Sequence, residues 1–192
     1  MAEAVLPGTG LVAALLGLTP DVVKEVCREA SSVGVVAAAN FNSPSQIVIA
    51  GEKAAVERAI ELAKTKGCKK AIVLPVSVPV HTPLMQKAAD RLAGDLAAIT
   101  WSDLKVPLMT NAEARALTKA GDIQASLVRQ LPSPVLWEDS VKAMAAMGVT
   151  TFVEVGPGTV LSGLIKRILP NAVTMNVNDP KSLEATRAAF SA

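Results

Sequence analysis

Between Leu11 and Leu74 the hydrophobic pattern switches between a period of two and a period of 3.6, and the order of those switches constrains the fold more than any single residue does. An apolar run at residues 11–16 is followed by a helical stretch at 20–31, strand-like segments at 35–39 and 46–50, a helical stretch at 52–66 and a strand at 70–74. This β-α-β-β-α-β succession is the split βαβ arrangement. Thr19 before Pro20 suits an N-cap and first-turn pair, and Gly67 suits the left-handed position that ends a helix. Residues 40–46, Asn-Phe-Asn-Ser-Pro-Ser-Gln, are rich in turn formers and are expected to link the two middle strands.

Beyond Leu74 the chain reads Pro75-Val76-Ser77-Val78-Pro79-Val80-His81, an extended apolar segment whose prolines forbid a helix and disfavour an interior strand. Thr82 and Pro83 then start a helix expected to reach about Ile99. A strand at 107–110, helices near 122–131 and 137–147, a strand at 151–155, a helix at 159–169, a strand at 172–177 and a helix at 180–190 follow. Such alternation predicts an α/β fold with a parallel sheet. Three strands make a thin sheet for a class normally buried on both faces, so an exposed apolar edge is expected near Val153, Val155 and Met175.

Charge and composition narrow the function classes. The 19 basic and 17 acidic residues alternate along the chain, which gives no basic face for nucleic acid. Cys27, Cys68 and a single histidine lack metal-ligand spacing, so no metal is expected. No apolar stretch is long enough for a membrane span, and two isolated cysteines suit a reducing compartment; the cytoplasm is the expected location.

Among residues able to carry chemistry, His81 stands out by position. It lies where a rigid extended segment meets a helix start, a place from which an imidazole can reach a cleft and act as a base. A nucleophile to go with it is absent from the 192 residues. There is no G-x-S-x-G elbow, Ser162 falls inside a helical stretch, Ser133 sits between prolines, and neither cysteine has an activating context. Gly156-Pro157-Gly158 joins a strand to a helix but lacks the phosphate-loop pattern, so it reads as a tight turn. Asn40, Asn42 and Gln46 supply amides suited to a polar ligand such as a pantetheine arm.

Asn40-Phe41-Asn42-Ser43-Pro44 with Gln46-Ile47-Val48-Ile49-Ala50-Gly51, Val76-Ser77-Val78-Pro79-Val80-His81, Val128-Arg129-Gln130-Leu131 with Ser133-Pro134-Val135-Leu136-Trp137, and Glu154-Val155-Gly156-Pro157-Gly158 with Leu161-Ser162-Gly163-Leu164 together resemble the malonyl-CoA:acyl carrier protein transacylases of bacterial-type fatty acid synthesis. The resemblance implies a ferredoxin-like small subdomain at residues 9–75 and the C-terminal part of an α/β-hydrolase-like acyltransferase subdomain at 76–192, with residues 1–8 ending a preceding helix. It implies His81 as catalytic base, oriented by the backbone carbonyl of Gln130 in place of a carboxylate. Substrate contacts would fall to Asn40, Asn42 and Gln46, and Val78-Pro79-Val80-His81 is similar to the fatty-acid form rather than to polyketide relatives.

Family members also carry a G-H-S-x-G serine and a carboxylate-binding arginine upstream, in segments these 192 residues do not contain. The implied reaction is malonyl transfer from malonyl-CoA to the phosphopantetheine thiol of acyl carrier protein through a malonyl-serine ester, with no bound cofactor. The implied partners are acyl carrier protein, malonyl-CoA and the N-terminal half of the same enzyme, without nucleic acid or membrane. The 192-residue chain alone is expected to be inactive, and the competing expectation is a non-catalytic module recognising CoA or acyl carrier protein.

Overall fold

The computed structural model describes residues 8–191, so the helix end expected at residues 1–8 lies, except for Gly8, outside the described residues. The fold is α/β with mixed strand pairing, divided into two compact units, Met1–Ser140 and Val141–Ala192.

The first unit opens with β1 (Gly10–Leu16), α1 (Pro20–Ala30), a 3-10 turn at Ser31–Val33, β2 (Val36–Ser43), β3 (Gln46–Glu52), α2 (Lys53–Thr65) and β4 (Lys70–Val73). These strands form one sheet in the order β2-β3-β1-β4, every neighbouring pair antiparallel. Alternation along each strand sends Ala13, Leu15, Ile47 and Ile49 to the side packed by Val23, Val26, Val56 and Ala59 of the two helices. Val12, Ala14, Val48 and Ala50 go to the opposite face, where Leu74 packs on them. Complete burial of a side chain such as Leu15 or Ile49 contributes about 1.5–3 kcal/mol. Pro20 does open α1, but the Thr19 hydroxyl makes no capping bond. Gly67, at φ +89°, closes α2 in a Schellman motif: Cys68 N–H donates to Ala63 O and Gly67 N–H to Lys64 O.

The middle of the sheet departs from the sequence reading. Asn40 to Ser43 continue β2 rather than forming a linker, and only Pro44 and Ser45 turn. Register shifts between Ala38 and Asn40 and between Phe41 and Ser43 leave Ala39 and Asn42 as extra residues, so β-bulges absorb what the composition presents as a loop.

A 3-10 turn, Pro83–Met85, precedes α3 (Gln86–Ala97), where a single helix from Pro83 was expected. Then come β5 (Leu108–Met109), β6 (Ala116–Leu117) and α4 (Ala120–Gln130). β5 pairs antiparallel with β6 and is not a third strand of a parallel sheet, which corrects the reading of 107–110. A two-residue strand is too short to show a period, which hid β6. α5 (Trp137–Ala146) follows.

In the second unit β7 (Thr151–Val155) and β8 (Val173–Val177) pair in parallel, with α6 (Val160–Ile168) between them in sequence and α7 (Pro180–Ser191) after them. Val155 is 78% and Val160 71% exposed, whereas Val153 and Met175 are half-buried.

Candidate functional site

The segment that leads to His81 is fixed against the sheet face opposite the helices. Gly10 lies on the same side as Val12 and Ala14, and a Cβ there would collide with Ser77 O and stand 2.7 Å from the Pro79 ring. Only glycine admits that approach. Two three-residue turns, Val76 N–H to Leu74 O and Val80 N–H to Val78 O, both 2.8 Å, keep the segment short and stiff. The Pro79 and Thr82 side chains are fully buried, and the Thr82 hydroxyl donates to Pro79 O at 2.7 Å. Between those anchors His81 adopts φ 61°, a left-handed conformation that costs a non-glycine residue about 1–2 kcal/mol.

The half-buried imidazole has its Nδ1 3.0 Å from the main-chain oxygen of Gln130. A carbonyl oxygen can only accept, so Nδ1 carries the proton and the Nε2 lone pair is left as a base. The acceptor is available for a local reason. Gln130 is the last residue of α4, and the final carbonyls of a helix lack intrahelical donors. Pro132 and Pro134 lie just beyond and do not continue the helix.

Gln130 is held from its side chain too. Asn111 Nδ2 donates to Gln130 Oε1 at 3.3 Å, and Leu136 N–H donates to Asn111 O at 2.7 Å. Glu113, two residues on, accepts from Ser126 Oγ and from Arg129 Nε, each at 2.7 Å. Burial works against ionisation of Glu113, but hydrogen bonds from Ser126, Arg129 and Thr110 outweigh it and hold the carboxyl below its usual range.

Beyond α4 the chain docks on the edge of β2: Val135 N–H donates to Ala39 O at 2.8 Å and Phe41 N–H to Val135 O at 2.9 Å. Asn40 is therefore joined to the stretch that follows Gln130. Its cross-strand partner Val48 belongs to the face away from the helices, and Gln46 lies two positions along the same strand, so Asn40 and Gln46 share that face. Asn42 sits at the second bulge. All three amides are half-buried, and none hydrogen-bonds to His81 or Gln130 among the described residues.

Alternative chemistry finds little support. Burial pushes the Cys27 thiol up to about 12, so it is not a thiolate at neutral pH. The turn at Gly156-Pro157-Gly158 brings the Glu154 carboxylate onto the N–H groups of Leu161 (3.1 Å) and Ser162 (2.8 Å) and onto Ser162 Oγ (2.7 Å). The N-terminus of α6, where a phosphate would bind, is thus filled by the protein's own anion. Among the described residues no group of three or more His, Cys, Asp or Glu is placed to hold a metal ion, and no helix is long and apolar enough to cross a membrane.

Asn111 and Glu113 were not singled out in the sequence. The available signal was a polar cluster, Thr110-Asn111-Ala112-Glu113, which reads equally well as an ordinary turn.

Residues 1–183 match the family described as the acyl transferase domain. The chain is 48% identical over 185 residues to the malonyl CoA-acyl carrier protein transacylase of Escherichia coli K12 and 45% identical over 185 to that of Bacillus subtilis, covering 96% of this chain in both cases. It spans 60% and 58% of the length of those curated relatives. Among solved structures it is similar to the malonyl-CoA:acyl carrier protein transacylase of Xanthomonas oryzae pv. oryzae, at 44% identity and a TM-score of 0.94, covering 98% of this chain and 60% of that one. It is also similar to a malonyl-transacylase in complex with its type II PKS acyl-carrier protein, at 41% identity and a TM-score of 0.95, covering 98% and 61%.

Proposed function

The chain belongs to the acyl transferase domain family, and on that premise we propose that it carries the general-base portion of a malonyl-CoA:acyl carrier protein transacylase. The observation that carries this reading is the 3.0 Å bond between His81 Nδ1 and the Gln130 carbonyl, which leaves Nε2 as the basic nitrogen. In the first half-reaction His81 takes the proton of a serine hydroxyl as the serine oxygen attacks the malonyl thioester; the C–S bond breaks and the imidazolium returns the proton to the departing CoA thiolate. The second half reverses these roles. His81 deprotonates the phosphopantetheine thiol of acyl carrier protein, the sulfur attacks the malonyl-serine ester, and the serine oxygen recovers the proton. Malonyl-CoA and phosphopantetheine enter as substrates, and the scheme asks for no cofactor.

The serine belongs to a G-H-S-x-G segment that the 192 residues do not contain, so the N-terminal half of the same kind of enzyme is a required partner. The reading also divides the chain into a ferredoxin-like small subdomain at 9–75, supported by its β-α-β-β-α-β order and the β2-β3-β1-β4 sheet, and an α/β-hydrolase-like part at 76–192. Asn40, Asn42 and Gln46 line the pantetheine path in this scheme, and the enzyme works in the cytoplasm.

The test supplies the missing segment, by fusion or by mixing, and measures malonyl transfer to holo acyl carrier protein. The 192-residue chain alone should give none. In the completed enzyme His81→Ala should lower malonyl-serine formation by about 10²–10⁴-fold. Gln130→Ala should do far less, since the orienting carbonyl stays in place, and Asn42→Ala or Gln46→Ala should mainly raise KM. Full acylation by the His81→Ala enzyme would overturn the base assignment. Tight CoA or carrier-protein binding with no turnover even after the segment is supplied would favour a binding module.

A further inference from the structure

Two non-glycine residues among those described have a positive φ: His81, and Ala114 at 51°. They lie far apart in sequence, yet both border Gln130, His81 directly and Ala114 through its neighbours. The loop between β5 and β6 is drawn tight by Ala114 N–H to Thr110 O and Thr110 N–H to Arg115 O, both 3.0 Å. That contraction forces Ala114 into the left-handed region and brings Asn111 and Glu113 against α4. Such strain persists only where surrounding contacts over-determine it, and here those contacts converge on one helix end.

Glu113 uses both carboxylate oxygens, one for Ser126 and one for Arg129, which are three residues apart on one face of α4, within the last turn or so before Gln130. Its side chain is 23% exposed, so this ion pair is sheltered in part from solvent. Asn111 adds a bond to the Gln130 side chain. A frayed helix end would let the Gln130 carbonyl rotate, and among the described residues no other hydrogen bond to the imidazole would then fix its tautomer. We propose that Glu113, seconded by Asn111, is a positioning residue that locks the last turn of α4 and so keeps the Gln130 carbonyl on His81 Nδ1. The catalytic importance of that lock rests on the base role given to His81 above; the lock itself does not.

His81 is the single histidine of the chain, so its ring nitrogens can be observed alone. With ¹⁵N-histidine incorporated, long-range ¹H–¹⁵N spectra of the 192-residue chain should show the Nδ1–H tautomer predominating. Glu113→Ala should move the population toward Nε2–H, the form imidazole prefers in water, Asn111→Ala should move it less, and Glu113→Asp should restore part of the original ratio. Glu113→Gln, which keeps the shape and one strong acceptor, should lie between wild type and Glu113→Ala; it decides the matter if the alanine variant fails to fold. In the completed enzyme Glu113→Ala should lower kcat by about tenfold or more with little change in KM. An unchanged tautomer in Glu113→Ala or Glu113→Gln, with the β1–β4 amide spectrum intact, would overturn the proposal. If the tautomer shifts but His81→Ala retains full acylation, the lock stands and the base reading falls. If His81→Ala is inactive while the Glu113 variants keep tautomer and kcat, only the lock falls.

Discussion

Residues 10–73 and residues 151–191 use the same kinds of segment, apolar strands alternating with amphipathic helices, yet they bury themselves to very different degrees. In the first region β1 lies between two neighbours, and Ala13, Leu15, Ile47 and Ile49 meet two helices in a continuous core. In the second, two parallel strands leave Val155, Val160 and Val173 exposed. Local instructions are nevertheless complete there. Glu154 caps α6, and Asp179 and Ser182 exchange bonds across the start of α7, Ser182 N–H to Asp179 Oδ1 at 2.7 Å and Asp179 N–H to Ser182 Oγ at 3.0 Å. Phe152, Leu164 and Ile165 are buried there, but helix caps are satisfied even where much of the apolar surface is not covered. Caps act within one turn, whereas a parallel sheet needs cover on both faces and more than two strands.

The sharpest way to break this comparison is to cut a side chain in each region. Ile49→Ala removes a fully buried side chain from an interior strand of the first region and should destabilise it by about 2–5 kcal/mol in urea unfolding. Val155→Ser, at a 78% exposed site, should change stability by no more than about 0.5 kcal/mol and should raise solubility. A large loss from Val155→Ser would mean that its side chain is covered in solution and that the core of the second region extends beyond Phe152, Leu164 and Ile165.

A middle-sized test concerns Glu154. Burial opposes its ionisation, but the N–H groups of Ser162, Leu161 and Val160 and the Ser162 hydroxyl together hold its carboxyl below the ordinary 4.5. A depressed carboxyl stabilises the fold above its unfolded pKa, and that contribution is lost as pH falls through the folded value. Amide protection at Leu161 and Ser162 should therefore fall on acidification below about pH 4.5, and Glu154→Gln should weaken it at neutral pH by the order of 1 kcal/mol, as a lost cap does. The first-region strands should keep their protection over the same range, since Ala13, Ile47 and Ile49 owe nothing to a carboxylate. Parallel loss in both regions would erase the distinction.

How far the sequence reveals this difference depends on the range over which each feature is determined. The helices and longer strands were legible because burial imposes a period on every turn or pair of residues, and 151–155 was read to the residue. Residues 40–43 read as part of a link because Asn and Ser argue locally for a turn, while the bulges that let them continue β2 depend on pairing with β3. The rigid approach to His81 is legible in the prolines that precede it. The contact with Gln130 is expected only from the family resemblance, since no spacing rule ties a histidine to a carbonyl 49 positions later. Glu113 was invisible for the same reason, its partners Ser126 and Arg129 being 13 and 16 residues away.

The smallest expected effect lies in the first region and asks whether its stability comes from the core or from its surface charges. Lys66 reaches from the end of α2 to Glu29 of α1 at 2.8 Å and to Glu25 at 3.1 Å, with its side chain 26% exposed. The hydrogen bond to Glu29, then that to Glu25, raises the Lys66 pKa above 10.5, while the Lys66 bond is the chief cause of a lowered Glu29. The signs are opposite for the two partners. The lysine's contribution is present below its unfolded pKa and lost as pH rises through the folded one; the glutamate's is present above 4.5 and lost as pH falls through its own folded value. Between those limits the pair should add a constant and small increment, because exposed charges are screened and ordering two long side chains opposes the attraction. Lys66→Ala should shift the melting temperature only slightly at neutral pH, and the shift should largely vanish in about 1 M salt, where the Debye length is near 3 Å. A shift as large as that of Ile49→Ala and insensitive to salt would move the source of the first region's stability from its apolar core to the bridge between its helices.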